Sequence, residues 1–466
     1  MKLNAIILAA GKGTRMRSLN NEISKVGYPL LDEPLVNYVI DSVEDLINGE
    51  TIVVIGFGGE YTKKIVEKRA KTVWQREQKG TGHAVMQAAP ILEKCEGSTF
   101  VLSGDVPLLR KESLEAMIAH HKENNADLTI LTAKPASNFG YGRIIRDERG
   151  FVIKIVEQKD ANEKEKLIKE VNAGTYLFNN KKLFEQLKNL NADNKQGELY
   201  LTDTISLFIK QGYKVTAYTL EDSSEMLGTN DRAQLAEAES LMRKRINTKH
   251  MLNGVSLEDP QNTYIGPYVE IGQDTYIGAG AHLLGKTKIG INSRITGSTH
   301  LENTEVGENN IIISSHIVGA KIGNKNTIGP MARMRGECVI GNCTRIGNFV
   351  EFKNVKFADG AKCAHLTYLG DTIVEENANI GCGTITANYD GYNKFVTHIG
   401  KNVFIGSGTT IIAPVTIKEG AFIAAGSTIN KDVGEDDFAI ARERQINKEK
   451  YANVIRQRAK DIKDKK

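Results

Sequence analysis

At 466 residues the chain has the length for roughly two to four domains of about 100–200 residues each, and 40% hydrophobic with 25% charged residues excludes a disordered or collagen-like chain. Lys plus Arg number 61 against 57 Asp plus Glu, and a net charge of +4 gives no argument for nucleic-acid binding. The first apolar run, Leu3 to Ala10, is far short of the ~20 residues a bilayer crossing needs and leads into Gly11-Lys12-Gly13 rather than a cleavage site, so it reads as a buried strand and no membrane segment is expected.

The first half alternates strand-like runs (Ala5–Ala10, Thr51–Ile55, Thr99–Leu102, Leu128–Thr132) with helix-like stretches (Leu35–Ile47, Gly82–Leu92, Lys111–Asn124). Alternation of this kind predicts an α/β, Rossmann-like domain of parallel strands and crossover helices, with ligands at the carboxyl ends of the strands. Leu235, Leu241, Met242 and Ile246 then fall near helical spacing within Asn230 to Lys249, which predicts a linking helix.

Beyond it the composition changes: residues 1–253 hold 18 of the 44 glycines and residues 254–440 hold the other 26. The period becomes six. Ile265, Ile271, Ile277, Leu283, Ile289 and Ile295 form one frame, Ile322, Ile328, Met334, Ile340, Ile346 and Phe352 a second, and Ile399, Ile405, Ile411, Ile417, Ile423 and Ile429 a third. Neither a helix of period 3.6 nor a strand of period two produces this, whereas a hexapeptide β-helix does, each unit being a short strand and a turn with its aliphatic residue inward. The pattern resembles the left-handed parallel β-helix of hexapeptide acyltransferases. Its interior holds only stacked side chains, so a site belongs on the outside, between subunits or in the break of the frame between Phe352 and Ile399. Ten Lys or Arg against four Asp or Glu between Arg442 and Lys466 predict a solvated basic tail. Five cysteines, Cys95, Cys338, Cys343, Cys363 and Cys382, form no C-x-x-C pair; the odd number suits a reducing compartment, and the cytoplasm is expected.

Leu8-Ala9-Ala10-Gly11-Lys12-Gly13-Thr14-Arg15-Met16 follows the first strand. It lacks the third glycine of a dinucleotide fingerprint and the ending of a Walker loop, but its N–H groups with Lys12 and Arg15 suit phosphates. The string matches the sugar-nucleotide pyrophosphorylase signature. Ser24-Lys25-Val26, Gln75 before Gln78-Lys79-Gly80-Thr81-Gly82, Gly104-Asp105-Val106-Pro107, Gly140-Tyr141-Gly142-Arg143, Val156-Glu157, Asn172-Ala173-Gly174 and Gly228-Thr229-Asn230-Asp231 match its further motifs in order. With the C-terminal hexapeptides, the chain resembles the bifunctional N-acetylglucosamine-1-phosphate uridylyltransferase / glucosamine-1-phosphate acetyltransferase family over essentially its full length.

That resemblance implies a uridylyltransferase domain over 1–229, a linking helix over 230–253, an acetyltransferase β-helix over 254–440 and a tail over 441–466. It implies UTP and N-acetylglucosamine-1-phosphate at the first site: Leu8, Ala9, Ala10, Gly11, Gln75, Gly80 and Thr81 for the nucleotide, Arg15 and Lys25 for its phosphates, Ser103 and Gly104 at a strand end, Gly140, Glu157 and Asn172 for the sugar, and Asp105 with Asn230 as Mg²⁺ ligands. The sugar phosphate, already ionised, attacks the α-phosphorus without a base, and positioning and charge neutralisation supply the catalysis.

For the second site it implies His365 as the base that takes the glucosamine amine proton, an imidazole being suited to this near neutral pH. Arg335, Lys353, Tyr368, Asn379 and Lys394 match its glucosamine-1-phosphate contacts, and Cys382, Asn388, Tyr389, Ser407, Ala425 and Arg442 its acetyl-CoA contacts. A homotrimer with sites between β-helices is implied, as is a supply of precursors for peptidoglycan and lipopolysaccharide. The chain departs from the family at Asp32-Glu33, where Gly and a basic residue are usual, in a longer stretch from Gly11 to Lys25, and at Gly336-Glu337, where Pro-Gly is usual. Rival readings are a cysteine nucleophile at Cys363 or Cys382, a nucleotidyltransferase whose β-helix only regulates or assembles it, and a non-catalytic scaffold; His365 and the Asn388-Tyr389-Asp390-Gly391 loop speak against the regulatory β-helix, and pyrophosphate release from UTP, Mg²⁺ and the acetylated sugar phosphate tests the scaffold.

Overall fold

The computed structural model describes residues 1–20, 22–138, 140–194 and 197–465, so Lys466 of the expected tail lies outside the described residues. Two compact units are distinguished: Met1–Lys249 with Tyr264–Pro267, and His250–Thr263 with Tyr268–Lys466. No helix among the described residues is long and apolar enough to cross a membrane.

The first unit is built on a nine-stranded sheet. Its strands are β1 (Leu3–Ala9), β2 (Thr51–Ile55), β3 (Lys71–Trp74), β4 (Ser98–Ser103), β5 (Leu128–Ala133), β6 (Arg143–Arg146), β7 (Val152–Val156), β8 (Val171–Asn179) and β9 (Val215–Thr219), in the order β9-β5-β8-β4-β1-β2-β3 with the β6–β7 pair attached to β8. β1 reads as a run rather than an alternation because both its faces are covered. Ala5, Ile7 and Ala9 join Val36, Ile40 and Leu102 in one core, while Ile6 joins Val85, Phe178 and Leu183 in the other.

The expected parallel strands are joined by one that the alternation did not mark, β8, which runs antiparallel to β4 and β5 because it follows the antiparallel β6–β7 pair instead of a crossover helix. The expected helix Gly82–Leu92 is two short ones, Thr81–Met86 and Ala89–Leu92. Pro90 lacks the N–H that would bond the Met86 carbonyl, and its ring crowds the preceding turn. The helix Leu35–Val43 finishes in a tighter turn, Glu44–Leu46, and the linking helix runs Arg232–Leu252, seating Ala238 and Met242 on Leu30, Leu35, Tyr38 and Leu108. At the first departure, a short hairpin pairs Pro29–Leu30 with Glu33–Pro34. Its two central residues, Leu31 and Asp32, both have positive φ, 46° and 73°, the backbone that such a tight turn demands and that Asp tolerates better than most residues.

In the second unit, short strands pair in parallel with the third strand along, so three make one coil of a parallel β-helix. One inner column runs Ile277, Ile295, Ile312, Ile328, Ile346, Cys363, Ile380, Ile405 and Ile423, every member buried. The column explains the changes of frame: from Ile277 to Ile295 a coil takes 18 residues and from Ile346 to Cys363 it takes 17, so each shortened corner moves the apolar position by one. It also corrects the expected break between Phe352 and Ile399. The solenoid is continuous there, through the strands Arg345–Phe357 and Lys362–Val374, and only the loop between the strands Ile385–Ala387 and Thr397–Ile399 lies outside the coil. The tail carries an exposed helix, Tyr451–Lys463.

Candidate active sites

β1 lies between β2 and β4, so the chain leaves it in opposite directions and a crevice opens at the carboxyl ends of β1 and β4, where such sheets bind ligands. A cavity of about 350 Å³ occupies the place, lined by Leu8, Ala9, Ala10, Gly11, Lys25, Gln75, Gly80, Thr81, Ser103 and Asp105, and further by Lys12, Gln78 and Glu198. The loops around it are tied down. Gln78 Nε2 donates to the Ala10 carbonyl at 2.9 Å, and Gln75 Nε2 to the Gly80 carbonyl at 3.0 Å. Thr81 Oγ1 accepts from Leu201 N at 3.0 Å. Gly80 has φ +106°, and a Cβ there would stand 2.5 Å from the Leu199 carbonyl, whereas a Cβ on Gly11 would meet nothing within 4 Å. The first glycine is required by the protein's own packing; the second faces open space.

Four sequence-distant side chains meet beside the cavity. Lys25 forms an ion pair with Asp105, its Nζ donates to Asn230 Oδ1 at 3.1 Å, and Arg15 Nη2 donates to the same oxygen at 2.7 Å. Backbone bonds hold the group in place: Gly104 N donates to the Leu8 carbonyl and Thr229 N to the Asp105 carbonyl, both at 2.9 Å. The longer stretch before Lys25 therefore still delivers its ammonium to the carboxylate. Glu157 is half-buried in the same unit, its pKa pushed up by burial, opposed by the Thr202 hydroxyl and assisted by Asp160 and Asp203. Asn172 donates to Tyr176 OH at 2.6 Å and accepts from Gly174 N at 3.0 Å, and a Cβ on Gly174 would lie 3.5 Å from Ser103 Oγ. Gly140 N donates to Gln158 Oε1, as does the buried Arg143.

On the β-helix a second group gathers. Arg335, Lys353 and Gly370 are register partners on successive coils, and the Lys394 ammonium sits so close to Lys353 that it lowers its pKa, with Arg335 adding to the effect. Arg335 is itself paired to Glu351, at 2.8 Å. Glu337, in the third departure, is exposed and its N–H is taken by Asn354 Oδ1 at 3.1 Å. Tyr368 OH lies over Gly370, 2.6 Å from where a Cβ would be, with Asn388 Nδ2 at 2.8 Å from the same point. Asn388 is held by Asp371 Oδ2 at 2.6 Å.

His365 is exposed at a corner of the same coils, its Nδ1 3.2 Å from Asn348 Oδ1. Above it the corner continues: the Leu366 carbonyl accepts from Gly383 N, the Cys382 carbonyl from Gly408 N and the Ser407 carbonyl from Gly426 N. A Cβ on Gly426 would lie 3.8 Å from Arg442 Cδ. Cys382, Ser407, Ala425 and Arg442 thus follow His365 along one edge. Cys363 points into the core, its thiol pushed up to about 12 by burial, which removes it as a nucleophile.

Residues 4–238 match the nucleotidyl transferase family model, and residues 397–431 match that of the bacterial transferase hexapeptide (six repeats). The bifunctional protein GlmU of Streptococcus mutans serotype c is 48% identical over 96% of this chain and 97% of its own length. Those of a Geobacillus species and of Acholeplasma laidlawii are 48% and 44% identical over 98% of both chains. The chain belongs to the bifunctional GlmU family. It is a uridylyltransferase and acetyltransferase of UDP-N-acetylglucosamine synthesis, and its second unit is the left-handed parallel β-helix of the hexapeptide transferases.

Within this GlmU family member, the structure brings together Arg15, Lys25, Asp105 and Asn230, and separately Arg335, Lys353, Lys394 and Tyr368. It does not bring Asn379 to the latter. Asn379 pairs in register with Lys362 and Phe404, on another face of the coil. Tyr389 is exposed on the loop after Ala387, bridged to Lys394. Sequence reasoning gave no role to Gln78, which stands inside a matched motif, or to Glu351, Asp371 and Asn348. The signal for Asn348 was present, since it precedes His365 by one 17-residue coil.

Proposed function

We propose that uridylyl transfer runs at the carboxyl ends of β1 and β4, that acetyl transfer runs along the corner carrying His365, and that the two activities divide between residues 1–229 and 254–440. The observation that carries this reading is that each unit has its own cluster in which cations outnumber carboxylates: Lys12, Arg15 and Lys25 against Asp105 and Glu198, and Arg335, Lys353 and Lys394 against Glu351 and Asp371. Phosphate groups complete such clusters.

At the first site the loop from Ala10 to Gly13 and the Gln75, Gly80 and Thr81 segment hold the nucleotide, and Glu157, Asn172 and Gly140 hold the acetylated sugar. Lys25 and Arg15 neutralise the phosphates while the sugar phosphate oxygen attacks the α-phosphorus and pyrophosphate leaves. Asp105 and Asn230 suit Mg²⁺: both present an oxygen to the Lys25 ammonium, so a carboxylate and an amide oxygen converge on one cation position, the hard donors this ion selects. Bound there, the ion would neutralise phosphate charge.

At the second site the cations and Tyr368 hold the glucosamine phosphate, and His365 takes the amine proton as the nitrogen attacks the acetyl thioester. Cys382, Ser407, Ala425 and Arg442 mark the bed of acetyl-CoA, closed by Asn388 and Tyr389. Asn379 belongs to the edge where Phe404, Phe422 and Phe438 stack in the open, centroids 4.5 and 5.8 Å apart. An exposed aromatic ladder of this kind supports a homotrimer in which one β-helix lends Asn379 to its neighbour's site. Five free cysteines support a cytoplasmic location.

The test is a coupled assay from glucosamine-1-phosphate, acetyl-CoA, UTP and Mg²⁺. Asp105→Asn should abolish uridylyl transfer and spare acetylation, and His365→Ala should lower acetylation by about 10²–10⁴ and spare uridylyl transfer. Equal loss of both activities in either variant would refute the division.

A further inference from the structure

We infer that Asn348 is a positioning residue that fixes the protonation pattern of His365. The inference rests on the reading of His365 as the acetyl-transfer base. Asn348 and His365 are register partners on adjacent coils, and Asn348 Oδ1 stands 3.2 Å from His365 Nδ1. Nε2 makes no hydrogen bond among the described residues.

Only one assignment of this contact leaves a working base. If the amide oxygen accepts from Nδ1–H, the lone pair of the neutral ring is on Nε2, which faces solvent. If the amide nitrogen donated instead, the Nδ1 lone pair would be consumed and Nε2 would carry the proton, leaving no free basic nitrogen. A carboxylate in the same place would also orient the ring. It would also raise the pKa of the ring, so that a larger share of it is protonated, and unable to take the amine proton, as pH falls. A neutral amide selects the tautomer without charging the ring.

The backbone around the pair is built to hold it. Gly347 packs so tightly that a Cβ would lie 1.7 Å from the Ala364 carbonyl, which locks one coil corner onto the next. The residues after each partner, Phe349 and Leu366, are left-handed at φ 56° and 33°, yet both are exposed apolar side chains, at 60% and 62%. Ser314 and Met331 take the same left-handed backbone at this corner on the two preceding coils, φ 38° and 58°, so the conformation is the regular turn of the corner and it repeats the position of each coil's side chains over the next.

The experiment uses the full-length enzyme and three variants, measuring acetyl transfer against pH, uridylyl transfer and melting temperature. Asn348→Ala should lower kcat for acetyl transfer by about 10- to 100-fold, the span seen when the partner orienting a functional histidine is lost, with KM for both substrates within about twofold. Asn348→Asp, of equal size, should keep the fold and shift the acid limb of the kcat profile upward by about 0.5–1 pH unit, since a nearby negative charge favours imidazolium. Uridylyl transfer should be unchanged in both. An unmoved pH profile in Asn348→Asp, or an unchanged kcat in Asn348→Ala, overturns the inference while leaving His365 as the base. His365→Ala separates the two ideas: if it retains acetyl transfer, the reading of His365 itself falls.

Discussion

Lys353 and Lys394 meet ammonium to ammonium on the edge of the β-helix, and the Lys394 contact is the largest cause holding the Lys353 pKa below the ordinary lysine range, with Arg335 adding to it and Asp371 opposing it. Two like charges held this way in a free protein are a cost that a bound dianion removes. Lys394→Gln should therefore raise KM for glucosamine-1-phosphate by about tenfold or more, the worth of a lost charged hydrogen bond, while leaving the melting temperature of the free enzyme unchanged or higher. A lowered melting temperature with unchanged KM would contradict this.

Glu157 gives a pH dependence in the first unit. Its pKa is raised by burial, so the folded state holds the carboxyl proton more tightly than the unfolded chain. The associated stability is present below the unfolded value near 4.5 and is lost as pH rises through the folded value. At neutral pH the half-buried carboxylate costs stability, and holding the acetylated sugar is the role proposed for it. Glu157→Gln should raise the melting temperature of the first unit at pH 7–8 and also raise KM for N-acetylglucosamine-1-phosphate; calorimetry with steady-state kinetics checks both.

His121 acts in the opposite sense. It is buried, its Nδ1 sits 2.8 Å from Thr129 Oγ1, and burial drives its pKa to about 4, with Asp127 opposing and His120 assisting. The unfolded chain takes up this proton from about pH 6.5 downward and the folded chain only near 4, so stability falls as pH drops through that window. His121→Gln should flatten the loss of melting temperature between pH 6.5 and 4. An identical acid slope in the variant would show that other groups govern it.

Gly347→Ala tests the corner that carries His365, the proposed acetyl-transfer base. Its added Cβ would collide with the Ala364 carbonyl, a backbone atom that cannot swing aside, so the coils must separate at a cost of about 1–3 kcal/mol. Acetyl transfer should fall steeply while uridylyl transfer continues, read in parallel assays of the purified variant.

The hexapeptide frames and the glycine loop determined two architectures and a phosphate site from the sequence alone, because period-six burial and glycine-bearing phosphate loops are local rules that need no knowledge of distant residues, while the two chemistries followed from the family resemblance that the ordered motifs carry. Even the strand Thr51–Ile55 matched residue for residue, its ends marked by a sharp change from apolar to polar or glycine. What only the tertiary structure decided was partnership across the chain. Lys25 and Asp105 are 80 residues apart, and Arg15 and Asn230 are 215 apart; their meeting depends on which strands become neighbours. The apparent break after Phe352 vanished because coil length drifts between 16 and 18 residues and one coil takes 25 to carry the loop after Ala387, changes that shift a linear frame while leaving the inner column intact. The antiparallel β8 was illegible for the same reason, since a buried strand has the same apolar run in either direction.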